Sequence, residues 1–169
     1  MKYKNYIEKI IKEIIDSYDN SKLFSELDNI IEIDFADIFP KSEMERKEIS
    51  TFLNENAKLM EKDNKGEFYL LNDPVETKYG ILEIVKLRIF DEHKKKRGTM
   101  DFKCNDYNSI KAIIKDRENV YIIHREFDEL IEIPIQDNYI YISNKPKCEN
   151  FIKWWKKLMN NFHKVYTEI

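Results

Sequence analysis

Between residues 120 and 143 three extended runs follow one another, VYIIHREF, LIEIPI and NYIYIS, with Phe127 to Glu129 and then Gln136 to Asn138 at the joins. Connections this short cannot hold a crossover helix, so consecutive runs must pair antiparallel. Any fold for this chain has to contain that three-stranded unit.

A second constraint lies upstream. The run YGILEIVKLRIF is followed by the charged loop DEHKKKR, a short extended run GTMDFKC and a helix opener NDYNSIKAII. This order reads as a hairpin over residues 79–104 feeding a helix, and the hairpin is expected to be the longest in the sheet with its charged tip projecting. Around these segments the pattern adds an amphipathic helix over residues 3–18, with Ile7, Ile10, Ile11 and Ile14 on one stripe. A strand is expected over residues 30–39, where Ile31, Ile33 and Phe35 alternate with a wet face of Glu32 and Asp34. Ser42 and Glu45 form a capping box that opens a helix to about residue 62. A turn over residues 63–66 leads to a strand over residues 67–71, stopped by Asn72, Asp73 and Pro74. The last segment, residues 147–167, places Phe151, Trp155, Leu158 and Phe162 on one helical face that would dock on the sheet. No internal repeat is visible.

These elements predict one α+β domain over residues 1–169. Its sheet is mainly antiparallel with about six or seven strands, and helices at the N-terminus, middle and C-terminus pack on one face or at the ends. With 169 residues, 42% of them hydrophobic, the chain can bury one full core but not two.

Composition narrows function mostly by exclusion. A net charge of −3, from 29 Lys and Arg against 32 Asp and Glu, provides no global field for nucleic acid or an anionic membrane. Gly66, Gly80 and Gly98 are isolated, which argues against phosphate-cradling loops, and the common zinc-protease, serine-hydrolase and zinc-deaminase signatures are absent. Cys104 and Cys148 are far apart and read as buried free thiols. The first residues lack the pattern of a signal peptide, and no apolar segment is long enough to span a bilayer, so the cytoplasm is the expected location.

Four constellations carry candidate chemistry. Asp101 and Lys103 stand two apart on a strand and project from one face, while Met100, Phe102 and Cys104 point the other way. The pair resembles the acid-x-Lys half of the PD-(D/E)xK nucleases. That resemblance implies divalent-metal phosphodiester chemistry, with Asp73 or Glu83 as the second acid; the plainer reading is a surface salt-bridge pair with Lys86 or Arg88. Lys94, Lys95, Lys96 and Arg97 form a basic run at the hairpin tip, suited either to binding or to keeping a long hairpin from pairing edge to edge. His124 and Glu126, with His93, offer metal-ligand atoms, although a hydrogen-bonded structural histidine is the simpler account. Trp154, adjacent to Trp155 and therefore on a different side of a helix, is a candidate partner anchor.

The resulting expectation is a small binding or regulatory protein that needs no cofactor or metal. It would act without catalysis on a protein partner through Lys94, Lys95, Lys96, Arg97 and Trp154; nucleic acid is not favoured and no membrane is involved. A divalent-metal nuclease or phosphodiesterase is the alternative.

Overall fold

The computed structural model describes residues 4–18, 27, 30–126, 128–135, 138–147 and 151. Its elements run α1 (Lys4–Asp16), β1 (Ile31–Ile38), α2 (Glu43–Asn56), β2 (Ala57–Asp63), β3 (Gly66–Thr77), β4 (Gly80–Arg88), β5 (Gly98–Cys104), α3 (Tyr107–Ile114), β6 (Tyr121–His124), β7 (Glu129–Ile135) and β8 (Asn138–Ser143). The α+β class is as expected, but the sheet is larger and mixed. Eight strands stand in the order β2-β3-β4-β1-β5-β8-β7-β6. β1 pairs parallel with β4 and β5 parallel with β8, and the other neighbours are antiparallel.

This order contains a repeat that the residues do not announce. From β1 to β4 and from β5 to β8 the chain runs strand, helix, strand, strand, strand, and each time the first strand pairs parallel with the fourth. The halves join where β1 and β5 pair antiparallel, with Ala36 opposite Met100. A shared topology constrains only which positions are apolar, and the halves differ in dimensions: α2 has 14 residues and α3 has 8, β3 has 12 and β7 has 7.

The three described helices cover one face. Ile7, Ile10, Ile11 and Ile14 of α1, Ile49 and Leu53 of α2, and Ile110 and Ile114 of α3 share one core with Ile31, Val85, Met100, Phe102 and Ile142 of the sheet. Each such side chain contributes on the order of 1.5–3 kcal/mol when fully buried. Tyr18 ties the two central strands of the second half together, its hydroxyl accepting from Met100 N at 3.1 Å and donating to Tyr139 O at 3.0 Å. Gly98 is required where β5 passes α1, because a Cβ there would strike Asp37 O and Ile14 Cδ1.

Four sequence expectations are corrected. Residues 79–104 do not form a hairpin, since β1 lies between β4 and β5; the nine residues from 89 to 97 cross its end, a span of two strand spacings of about 4.8 Å each. The helix from Ser42 stops at Asn56, and residues 57–63 become the edge strand β2, because pairing with β3 overrides their helical propensity. Asn72 to Pro74 do not stop β3 but form an irregularity inside it, between the pairs Leu70 with Ile84 and Val75 with Leu82. Phe35 leaves the face of Ile31 and Ile33, because a bulge between Ile33 and Phe35 shifts the register and turns its ring to the other side with Phe68 and Ile84. Of the expected wet face of β1, Glu32 is exposed but Asp34 is buried.

Candidate binding cleft

Opposite the described helices, the central strands floor a cleft of about 1270 Å³. Its position follows from strand alternation: residues flanking the core positions on β1, β4, β5 and β8 must face away from the helices. The volume exceeds the roughly 300–1,000 Å³ usual for a small-molecule site, so a ligand would fill only part of it. Nine Lys and Arg line it against four Asp and Glu, in a chain whose net charge is −3. Phe35, Phe39, Phe68, Tyr139 and Tyr141 add aromatic surface.

On the floor of the first half, Asp37 is buried and fully engaged. Its Oδ1 accepts from Arg88 Nη1 at 3.2 Å and its Oδ2 from Thr99 Oγ1 at 3.2 Å. Burial raises the Asp37 pKa, and Arg88, Lys86 and Thr99 oppose that rise. Beside it, Lys86 donates to Asp63 Oδ2 at 2.6 Å and its Nζ lies 4.3 Å from the centroid of the Phe68 ring. Burial works against the charge of Asp63, yet Lys86 and the backbone N–H of Lys65 hold its pKa below the usual range.

The second half carries Asp101 at the corresponding place, half-buried on the cleft floor. It pairs in register with Phe35 on β1 and Tyr141 on β8. Among the described residues its carboxyl has no hydrogen bond or ion pair. Its pKa is raised well above that of an ordinary aspartate, first by burial and then by Asp37 and Asp34, while Lys147 and Arg125 pull the other way. The Tyr141 hydroxyl engages Glu132.

The sequence-derived candidates are distributed differently. Asp101 and Lys103 share a strand face as their spacing requires, but Lys103 pairs with Glu32 at 3.4 Å, and the cations expected to pair with Asp101 bind other acids, Lys86 with Asp63 and Arg88 with Asp37. Lys103, Asp73 and Glu83 do not line the cleft that holds Asp101: Asp73 is exposed in the irregular part of β3 and Glu83 is half-buried on β4. Among the described residues no three His, Cys, Asp or Glu side chains are grouped to hold a metal ion. His124 Nδ1 lies 2.8 Å from Glu129, the structural role expected of it, while Glu126 is exposed and His93 lies 3.8 Å from Glu92.

The basic run divides. Lys94, Lys95 and Lys96 stand at the cleft rim, with Lys96 Nζ 4.3 Å from the centroid of the Tyr139 ring. Arg97 is a structural pin: its guanidinium donates to Glu45 at 2.7 and 2.9 Å and to Phe39 O at 3.2 Å, and lies 3.2 Å from Glu13. It therefore joins α1, α2 and the 89–97 connection, and with Lys41 it keeps the Glu45 pKa low although burial opposes this. Trp154, Cys148 and all but two residues of the expected last helix lie outside the described residues. Lys147 and Phe151 are described and both meet this face. Lys147 N donates to Asp34 Oδ2 at 2.8 Å, its Nζ lies 4.7 Å from the Phe68 ring centroid, and the Phe151 ring centroid is 5.4 Å from that of Phe68.

Sequence reasoning missed Asp37, Arg125 and Tyr141 as groups that act on or flank Asp101. The one local signal was an aspartate set between apolar residues on a central strand, as in F-A-D-I and T-M-D-F.

No family model and no curated protein matches this sequence. In fold, the chain is similar to a solved structure described as "Structural Genomics, Protein EC4020", with a TM-score of 0.63 and 10% identity over 86% of this chain and 91% of that one. The likeness is one of fold. No described helix is long and apolar enough to cross a membrane.

Proposed function

We propose that this protein binds a small organic anion in the cleft between the two halves of its sheet. The observation that carries the reading is the concentration of cations there: nine Lys and Arg against four Asp and Glu on one face of an acidic chain. Such a field attracts an anion, and the aromatic side chains offer its apolar part a surface to stack on. Arg125 and Lys147, whose charges reach Asp101 on the floor, are the cations best placed to fix its anionic group. The expected role is binding.

The test is a panel of aryl sulfonates, aryl carboxylates and phosphate monoesters, followed by ligand-observed NMR at millimolar concentration. At least one should bind, weaken with added salt, and lose about tenfold or more in affinity in an Arg125→Gln, Lys147→Gln double variant. Absence of any binder, or a binder indifferent to the double variant, would refute the reading.

A second reading retains the rim for a protein partner. It is favoured by Ile89, which is 53% exposed beside Lys94. Affinity capture with the whole chain, repeated with Lys94→Glu and Lys95→Glu together, tests it: a stoichiometric partner lost in the variant supports it, and no stoichiometric partner counts against it.

A further inference from the structure

Aligning the two halves on their parallel strand pairs places equivalent residues side by side. In the first half Asp37 on β1 stands opposite Lys86 on β4; in the second Asp101 on β5 stands opposite Tyr141 on β8. The first aspartate has cationic neighbours on the adjoining strand, with Arg88 bound to it directly. The second has an aromatic ring where the first half has an ammonium group, and that ring's hydroxyl is occupied by Glu132. Among the described residues, the sheet thus builds the same carboxyl twice and pairs it with a cation once.

We infer that the ligand supplies a cation there: a zwitterion whose ammonium group pairs with Asp101 on the cleft floor while its anionic end meets Arg125 and Lys147. This rests on the anion-binding reading and names the second half of the ligand. Three observations converge on it. Asp101 opens to the cleft with no hydrogen bond or ion pair among the described residues. Its flanks in register are the rings of Phe35 and Tyr141, surfaces that favour an organic ammonium. Asp37 and Asp34 act on it with negative charge, and the cations Lys147 and Arg125 lie within reach of it for the anionic end. An ammonium at Asp101 also offsets the repulsion that Asp37 and Asp34 exert on it, which Lys147 and Arg125 oppose.

The experiment compares two probes differing only in the cation, benzenesulfonate and 4-(aminomethyl)benzenesulfonate, by calorimetry on the whole chain at neutral pH. The ammonium-bearing probe should bind at least tenfold more tightly. In Asp101→Asn that preference should fall to within about twofold, while benzenesulfonate binds as well as before or better. Tyr141→Lys, which supplies the cation from within, should abolish the preference independently. Equal binding of the two probes to the unaltered protein, or a preference that survives in both variants, overturns the inference and leaves the anion-binding reading standing. If neither probe binds, the inference falls, and the wider panel decides whether anion binding falls with it.

Discussion

Asp37 and Asp101 occupy equivalent places in the two halves of one sheet, yet one is held by Arg88 and Thr99 and the other is held by nothing the described residues provide. Burial raises the pKa of both, so the difference lies in what opposes it. A buried carboxylate with its cation in place is part of the scaffold. The same group without one is a liability unless it serves a ligand. The first half therefore reads as support and the second as site.

The largest expected effect tests the supported half. Arg88→Met leaves Asp37 without its partner in a mostly buried position and should destabilise the fold by about 2–3 kcal/mol in chemical denaturation. Asp37→Asn keeps the shape and one acceptor but orphans the Arg88 charge, and about 1–2 kcal/mol should be lost in the same measurement.

Asp101→Asn should go the other way. It removes a charge that burial and two acidic neighbours disfavour, so the melting temperature at pH 7 should rise by roughly 2–4 °C, the size that about 1 kcal/mol gives in a chain of this length. The sign with pH follows from the raised pKa. The folded state disfavours ionised Asp101, so the wild-type deficit is present above the folded pKa and disappears as pH falls toward the unfolded value of about 3.9. Melting curves of the two proteins should converge near pH 4. A lower melting temperature for Asp101→Asn would remove the contrast between the halves.

The smallest effect is expected from Tyr141→Lys, which copies the first half into the second. Lost ring packing and the new ion pair offset one another, and stability should stay within about 1 kcal/mol. NMR of the Asp101 carboxyl should nevertheless show its titration midpoint moving down. An unmoved midpoint would mean that the strand-pair alignment does not bring residue 141 to the carboxyl.

Much of this molecule was legible wherever a local pattern decided the outcome. The stripe of α1, the cap at Ser42, the meander from β6 to β8 and the two faces of β5 all follow from spacing and turn length. Residues 57–63 were not legible, because Lys, Leu, Met and Glu suit a helix and only the neighbouring β3 makes them a strand. Nor was the separation of β4 from β5, since the strand that parts them lies some fifty residues earlier and leaves no mark on the loop between them. The cleft failed for the same reason. Asp101 stood out in the sequence, but its register neighbours Phe35 and Tyr141 lie far off along the chain, and the nearby Lys103 turned out to answer Glu32 instead.

The placement of β1 has a consequence for how the chain reaches this state. Ala36 pairs with Val85 on one side and Met100 on the other, 49 and 64 residues downstream. During synthesis β1 emerges long before either partner, with a hydrophobic strand whose two edges must both wait. The β3–β4 hairpin and the β6–β8 meander can close locally, whereas the central pairings demand large loop closures and set the pace of folding. Until they form, β1 is the segment most open to pairing with another chain, so its two late neighbours act as protection against aggregation as well as walls of the cleft.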